Sequence, residues 1–274
     1  MGLSGLKAYR AQRGNNNHTR HSGKLASSTP LPIVMTEAIR LAKRVAELRG
    51  CSRREAEQLI TGGWVRVDGV AVEEPHFRVA DQAIEIDPKA DPSQAEPVTI
   101  LFHKPPGIDS TDGKHPASQL LTADSMWTDD LSGIRPLKKH FTLLTPCVPL
   151  ETEAGGLIVF TQDWRIVRKL TEDAATLEHE VIVEVAGELV PHGLKRLNQG
   201  ISYLGRTPPA VKVSWQSEAR LRVALKGAQP GQIVHMCEAV GLQVLSMKRI
   251  RLGRVPLGKL PAGQWRYLLA DERF

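Results

Sequence analysis

Val148-Pro-Leu-Glu-Thr-Glu-Ala-Gly-Gly-Leu-Ile-Val-Phe-Thr-Gln-Asp163 joins a polar loop to a short β-branched strand pattern, Leu157 to Thr161, and places a carboxylate, Glu151, in the loop. Upstream, Val98-Thr-Ile-Leu-Phe-His-Lys-Pro-Pro-Gly107 reads as a strand running into a proline-stiffened turn. Downstream, Val181 to Val185 and Arg220 to Leu225 are further short strand patterns, and helical stretches lie near Arg165 to Thr171 and Pro191 to Asn198. Strands interleaved with helices around a single sheet predict an α+β domain over residues 98–274, its cleft on the sheet.

A different pattern precedes it. Ile39, Leu41, Val45 and Leu48 share one helical face from Glu37 onward, with Arg40, Lys43, Arg44 and Arg49 on the outside. Gly50 ends that helix, and Ser52-Arg-Arg-Glu55 has the spacing of a capping box opening a second one. The second helix turns Ala56, Leu59 and Ile60 inward and stops at Gly62-Gly63. Trp64-Val-Arg-Val-Asp-Gly-Val-Ala-Val72 then alternates around Asp68-Gly69, a hairpin signal. Asp87 to Pro97 holds three prolines and little that packs, so residues 89–97 read as a linker between this unit, 37–88, and the next.

With 41% hydrophobic and 24% charged residues, the 274-residue chain has the composition of a soluble globular protein, and disorder is expected only at its ends. The net charge of +6 is uneven. Residues 1–36 form a polar arm with five cations, Lys7, Arg10, Arg13, Arg20 and Lys24, suited to pairing with phosphates or simply to remaining solvated. Cys51, Cys147 and Cys237 lie far apart without zinc-ligand spacing, which predicts free thiols in a reducing compartment and no metal. No apolar run is long enough to span a membrane, and the N-terminus lacks the apolar segment of a secretory signal; a cytoplasmic protein is expected. His115, His140 and His192 stand alone and read as surface residues.

Residues 37–88, with two basic helices, Ser-Arg-Arg-Glu-Ala and an Asp-Gly hairpin, resemble the S4-type RNA-binding domain. The loop and strand at 148–163 resemble the signature Gly-Arg-Leu-Asp-x-x-Ser/Thr-x-Gly-Leu of ribosomal RNA pseudouridine synthases. Leu150, Gly156 and Leu157 match it, Glu151 falls on the Asp that starts the isomerisation and Pro149 on the Arg beside it. His103-Lys104-Pro105-Pro106-Gly107 is similar to the Asn-Lys-Pro-x-Gly motif of the same family. Glu178 to Val183 follows the Glu-Lys-x-Tyr-x-Val pattern, with Val181 on the Tyr that stacks against the base. Gln229-Pro-Gly-Gln-Ile-Val-His-Met236 lies on Arg-Asn-Arg-Gln-Ile-Arg-Arg-Met and keeps Gln232, Ile233 and Met236 but no Arg. Cys237 to Gly241, Val244 to Gly253 and Pro256 to Arg266 follow the family closely.

The resemblance, nearest the large-subunit branch, implies an S4-like α/β unit followed by a catalytic-type domain on a mixed, mainly antiparallel sheet. It implies a monomeric RNA isomerase that uses no metal and no organic cofactor and flips its target uridine out of the stack. Glu151 would be nucleophile or base, with His235 or a nearby Arg as its cationic partner and Lys104 steadying the cleft. RNA would lie against Arg40, Lys43, Arg44, Arg53 and Arg54 on one side and Lys104, Lys248, Arg249 and Arg251 on the other. Because the departures cluster at the reaction centre, a second reading stays open, a non-catalytic RNA-binding protein acting in ribosome assembly or RNA handling. A third keeps the chemistry but moves it to another RNA, such as tRNA.

Overall fold

Ser52 opens a helix as its spacing requires: Ser52 Oγ accepts the Glu55 amide at 3.2 Å, and the Glu55 carboxylate accepts the Ser52 amide at 2.8 Å. Two first-turn donors are thereby satisfied. The computed structural model describes residues 37–90, 92, 97–206 and 211–274; the basic arm over 1–36 and residues 91 and 93–96 of the expected linker lie outside these. In the N-terminal part the order is β1 (Ile39–Arg40), α1 (Leu41–Arg49), α2 (Arg53–Thr61), β2 (Val65–Val67), β3 (Val70–Ala71), β4 (Arg78–Val79) and β5 (Ile84–Ile86). The first helix starts at Leu41 rather than Glu37, because Ile39 and Arg40 are drawn into an antiparallel pair with β4. Asp68 and Gly69 both have positive φ, 49° and 77°, the backbone a tight β2–β3 turn needs.

Leu41, Val45, Ala56, Leu59, Ile60, Val65 and Val67 form the core of this unit and are buried almost completely. Truncating one such leucine to alanine costs about 2–5 kcal/mol, more than so small a core can easily absorb.

The rest of the chain builds one nine-stranded sheet from β6 (Thr99–Lys104), β7 (Thr145–Cys147), β8 (Gly155–Thr161), β9 (Glu178–Gly187), β10 (Lys212–Ser217), β11 (Arg220–Lys226), β12 (Leu242–Leu252), β13 (Val255–Pro256) and β14 (Trp265–Tyr267). Its order is β10-β11-β9-β12-β8-β6-β14, with β13 on β12 and β7 on β8. Only the β12–β8 pair is parallel among these pairings, so the sheet is mixed and mainly antiparallel. Helices α3 (Trp164–Thr171), α4 (Gly193–Gln199) and α5 (Gln232–Glu238) complete it. The alternating valines of β9, Val181, Val183 and Val185, point to one face and pack with Leu221, Val223 and Leu225 of β11 beneath Ile233, Met236 and Cys237 of α5. That packing holds the start of α5 over the middle of the sheet.

β9 is longer than its central valines suggest because charged partners continue it. Glu178 and Glu180 pair with Arg251 at 2.5 and 2.6 Å, and Glu180 also binds Arg222. The N-terminal unit rests on the segment before β7, where Lys138 meets Glu74 at 2.8 Å and Arg135 meets Glu73 at 3.6 Å. His140, expected at the surface, is buried: its Nδ1 lies 2.7 Å from the Tyr267 hydroxyl, and burial pulls its pKa down to about 4.

Candidate active site

The parallel meeting of β8 and β12 creates the site. Arg249 lies opposite Gly156 in register, and a Cβ on Gly156 would sit 2.3 Å from the Arg249 carbonyl oxygen. Only glycine, here at φ 113°, lets the two backbones approach so closely. The Arg249 side chain then turns beneath the 148–157 loop, donating from Nε to the Leu157 carbonyl at 2.7 Å and from Nη2 to the Val148 carbonyl. Both ends of the loop are thus tied to one buried guanidinium.

Val148 has φ 52°, a left-handed conformation that is costly for a β-branched residue, on the order of 1–3 kcal/mol. It occupies the position where the family signature carries Gly. The bond from Arg249 to its carbonyl is one of the contacts that over-determine this backbone.

Lys104 holds the loop from the other side. Its Nζ is fully buried and donates to the carbonyls of Pro105, Ile108 and Thr152 at 3.1, 2.6 and 2.9 Å. Burial pulls its pKa down to about 8, opposed by the charges of Asp109, Glu153 and Glu151. Burial likewise lowers Arg249, to about 9, against the pull of Glu151. Both remain cationic at neutral pH, two positive charges beneath a loop with carboxylates at Glu151 and Glu153. Ser110 exchanges hydrogen bonds with both backbone groups of Leu150 at 2.8 Å, and Thr152 donates to Asp109 at 2.8 Å.

Held in this way, the half-buried Glu151 carboxylate reaches α5. Its Oε1 accepts the backbone amide of Gly231 at 2.8 Å. Gly231 lies in the segment that resembles the family's C-terminal motif and carries no Arg, so the donor that meets the carboxylate here is a main-chain amide. Tyr203, from the turn after α4, caps the arrangement: its hydroxyl donates to the Pro230 carbonyl at 2.9 Å.

Several expected site residues are placed differently. His235 does not serve as the hydrogen-bonded partner of Glu151; its Nε2 lies 3.2 Å from the Ser202 carbonyl and its ring packs on Tyr203, centroids 5.3 Å apart. Lys104 and Arg249 are buried and brace the loop from within instead of presenting a surface to RNA. Arg251 is occupied by Glu178 and Glu180, while Lys248 is exposed. These three β12 residues do not make one basic strip: Lys248 and Arg249 face opposite sides of the sheet, and a register shift separates Arg249 from Arg251. Arg40 of β1 and Lys43, Arg44, Arg53 and Arg54 of the N-terminal helices are all exposed, with Arg44 and Arg53 making only loose pairs to Glu47 and Glu57. Val181 is packed in the core under α5, and Pro149 is exposed. His103, in place of the motif's Asn, is buried with Nδ1 2.7 Å from the Leu260 carbonyl. No signal in the sequence singled out Gly231 or Tyr203.

A cavity of 1650 Å³ lies elsewhere, where Trp64 and Arg66 face Leu137, His140 and Tyr267. None of Glu151, Gly231 and Tyr203 lines it.

Comparison with known proteins agrees with this layout. Residues 39–83 match the S4 domain family. The dual-specificity RNA pseudouridine synthase RluF of Salmonella typhi is 28% identical over 235 residues, spanning 85% of this chain and 76% of the relative. Ribosomal large subunit pseudouridine synthase B of Bacillus subtilis is 28% identical, over 77% of this chain and 84% of its own. The chain has an S4 domain and is homologous to RNA pseudouridine synthases. A solved pseudouridylate synthase shares the fold with a TM-score of 0.54 and 20% identity, over 84% of this chain and 96% of that one. The departures described above thus lie inside a framework common to these synthases.

Proposed function

We propose that this protein isomerises uridine to pseudouridine in ribosomal RNA of the large subunit, with Glu151 as the carboxylate that starts the reaction. The observation that carries the reading is the placement of Glu151: its carboxylate is anchored on Gly231 at 2.8 Å, with the charges of Lys104 and Arg249 beneath it. A preorganised carboxylate over fixed positive charge suits a step in which the ribose–nitrogen bond breaks and charge redistributes before the base turns and rejoins through carbon. The sugar and the reacting atoms are out of reach in a stacked helix, so the nucleotide is flipped out, at a cost of a few kcal/mol. Exposed cations on α1 and α2 hold the RNA backbone meanwhile; residues 37–88 supply grip and 98–274 the chemistry. Incubation with unmodified ribosomal RNA and mapping of modified uridines tests this. Modification no greater than that of Glu151→Gln would remove it.

Val181 favours a second reading, in which the fold binds RNA without modifying it. An aliphatic side chain packed in the core cannot stack on a base. RNA binding that persists unchanged in Glu151→Gln, with no modification by the parent protein, would select that reading.

A further inference from the structure

The peptide group joining Pro230 to Gly231 is hydrogen-bonded at both ends. Its N–H donates to Glu151 Oε1 at 2.8 Å, and its C=O accepts the Tyr203 hydroxyl at 2.9 Å. We infer that Tyr203 is a positioning residue for Glu151, acting through this single peptide unit. Its effect on turnover rests on the synthase reading; its effect on the peptide does not.

A trans peptide points its N–H and C=O in opposite directions, so hydroxyl, peptide and carboxylate form one chain of donors ending on the charge. A bond donated to the carbonyl polarises the amide and strengthens the N–H as a donor, by roughly 10–30% per bond. It also fixes the orientation of the peptide plane, which otherwise could turn its N–H away from Glu151. The hydroxyl therefore contributes both direction and strength.

The residue at 231 is part of the same device. Gly231 has φ 74°, and a Cβ there would lie 2.8 Å from Tyr203 Oη. An arginine at this position would be strained in its backbone and would push the hydroxyl off the Pro230 carbonyl. Glycine at 231 and tyrosine at 203 thus belong together. The Glu151 side chain is long enough to reach this main-chain donor at the start of α5. His235, whose ring lies 5.3 Å from Tyr203 at 43°, supports the tyrosine ring and is bound to Ser202 in the same turn.

The test is nuclear magnetic resonance on full-length protein labelled at proline carbonyl carbons and glycine nitrogens. Pro-Gly occurs only at Pro106-Gly107 and Pro230-Gly231, so two amides report. Glu151→Gln and Tyr203→Phe are each expected to move the Gly231 amide proton upfield, while Gly107, bound to the Thr152 carbonyl, stays in place as an internal check on folding. A Gly231 resonance unmoved by either substitution, or moved by one alone, overturns the relay whether or not any RNA is modified. In turnover, Tyr203→Phe is expected to lose roughly two- to tenfold at an unchanged KM for RNA, the effect of one hydrogen bond. Turnover equal to that of the parent would likewise overturn the positioning role.

Discussion

Glu151→Asp restores the family's residue, yet the geometry predicts that it weakens this protein. The Glu151 Oε1–Gly231 distance is 2.8 Å. Removing one carbon–carbon bond of about 1.5 Å withdraws the carboxylate to roughly 4 Å, beyond hydrogen-bonding range. A hydrogen bond to a charged group contributes about 1.5–3 kcal/mol, so on the proposed role of Glu151 the loss of this anchor corresponds to roughly a tenfold to hundredfold fall in rate. The side chain is half-buried and its loop is held through backbone carbonyls, so the fold should survive. The assay is single-turnover release of tritium from the uracil carbon that acquires the new bond, with the melting temperature as a control. An aspartate variant as fast as the parent, or faster, would refute the claim that the main-chain anchor sets the position of the carboxylate.

Gly156→Ala should destabilise by on the order of 3 kcal/mol or more, because its Cβ meets backbone atoms of Arg249 at a positive φ; an unchanged urea midpoint would contradict that. Arg249→Met should leave the Val148 and Leu157 carbonyls without their donor and cost about 2–5 kcal/mol, with the loop becoming the first site of proteolysis; intact protease resistance would argue otherwise. Burial holds His140 and His179 at about 4 and about 3, so between those values and 6.5 the unfolded chain binds more protons than the folded one. Stability from these groups is therefore complete above pH 6.5 and is lost as pH falls, and a melting temperature that drops from pH 7 to 5 should drop less in the double Gln variant. Arg53/Arg54→Ala should weaken RNA binding across sequences and flatten its salt dependence by about two phosphate contacts, while Glu151→Gln leaves affinity intact; equal salt slopes would exclude that surface.

The N-terminal unit was legible because its determinants are local. A capping box, an Asp-Gly turn and helical periodicity each act within a few residues, so Ser52, Glu55, Asp68 and Gly69 do in the fold what their spacing implies. Where a distant partner intervened, the reading slipped, as at Ile39–Arg40, which an edge strand pulled out of the helix. α5 and β12 were recognisable as motif segments but not as elements, since their conformation depends on packing against β9.

By itself the sequence determined the order of the parts: a basic helix pair, then an α+β sheet with a carboxylate-bearing loop at Glu151. Charge and periodicity along the chain suffice for that. Only the tertiary structure decided which cations face solvent and which lie under the loop, for Lys248 and Arg249 are neighbours in sequence yet opposite in fate. It also decided that Glu151 is held by an amide 80 residues away. A backbone donor is present at nearly every residue and carries no signature in the side-chain alphabet, so its selection is a matter of distance in the folded chain alone.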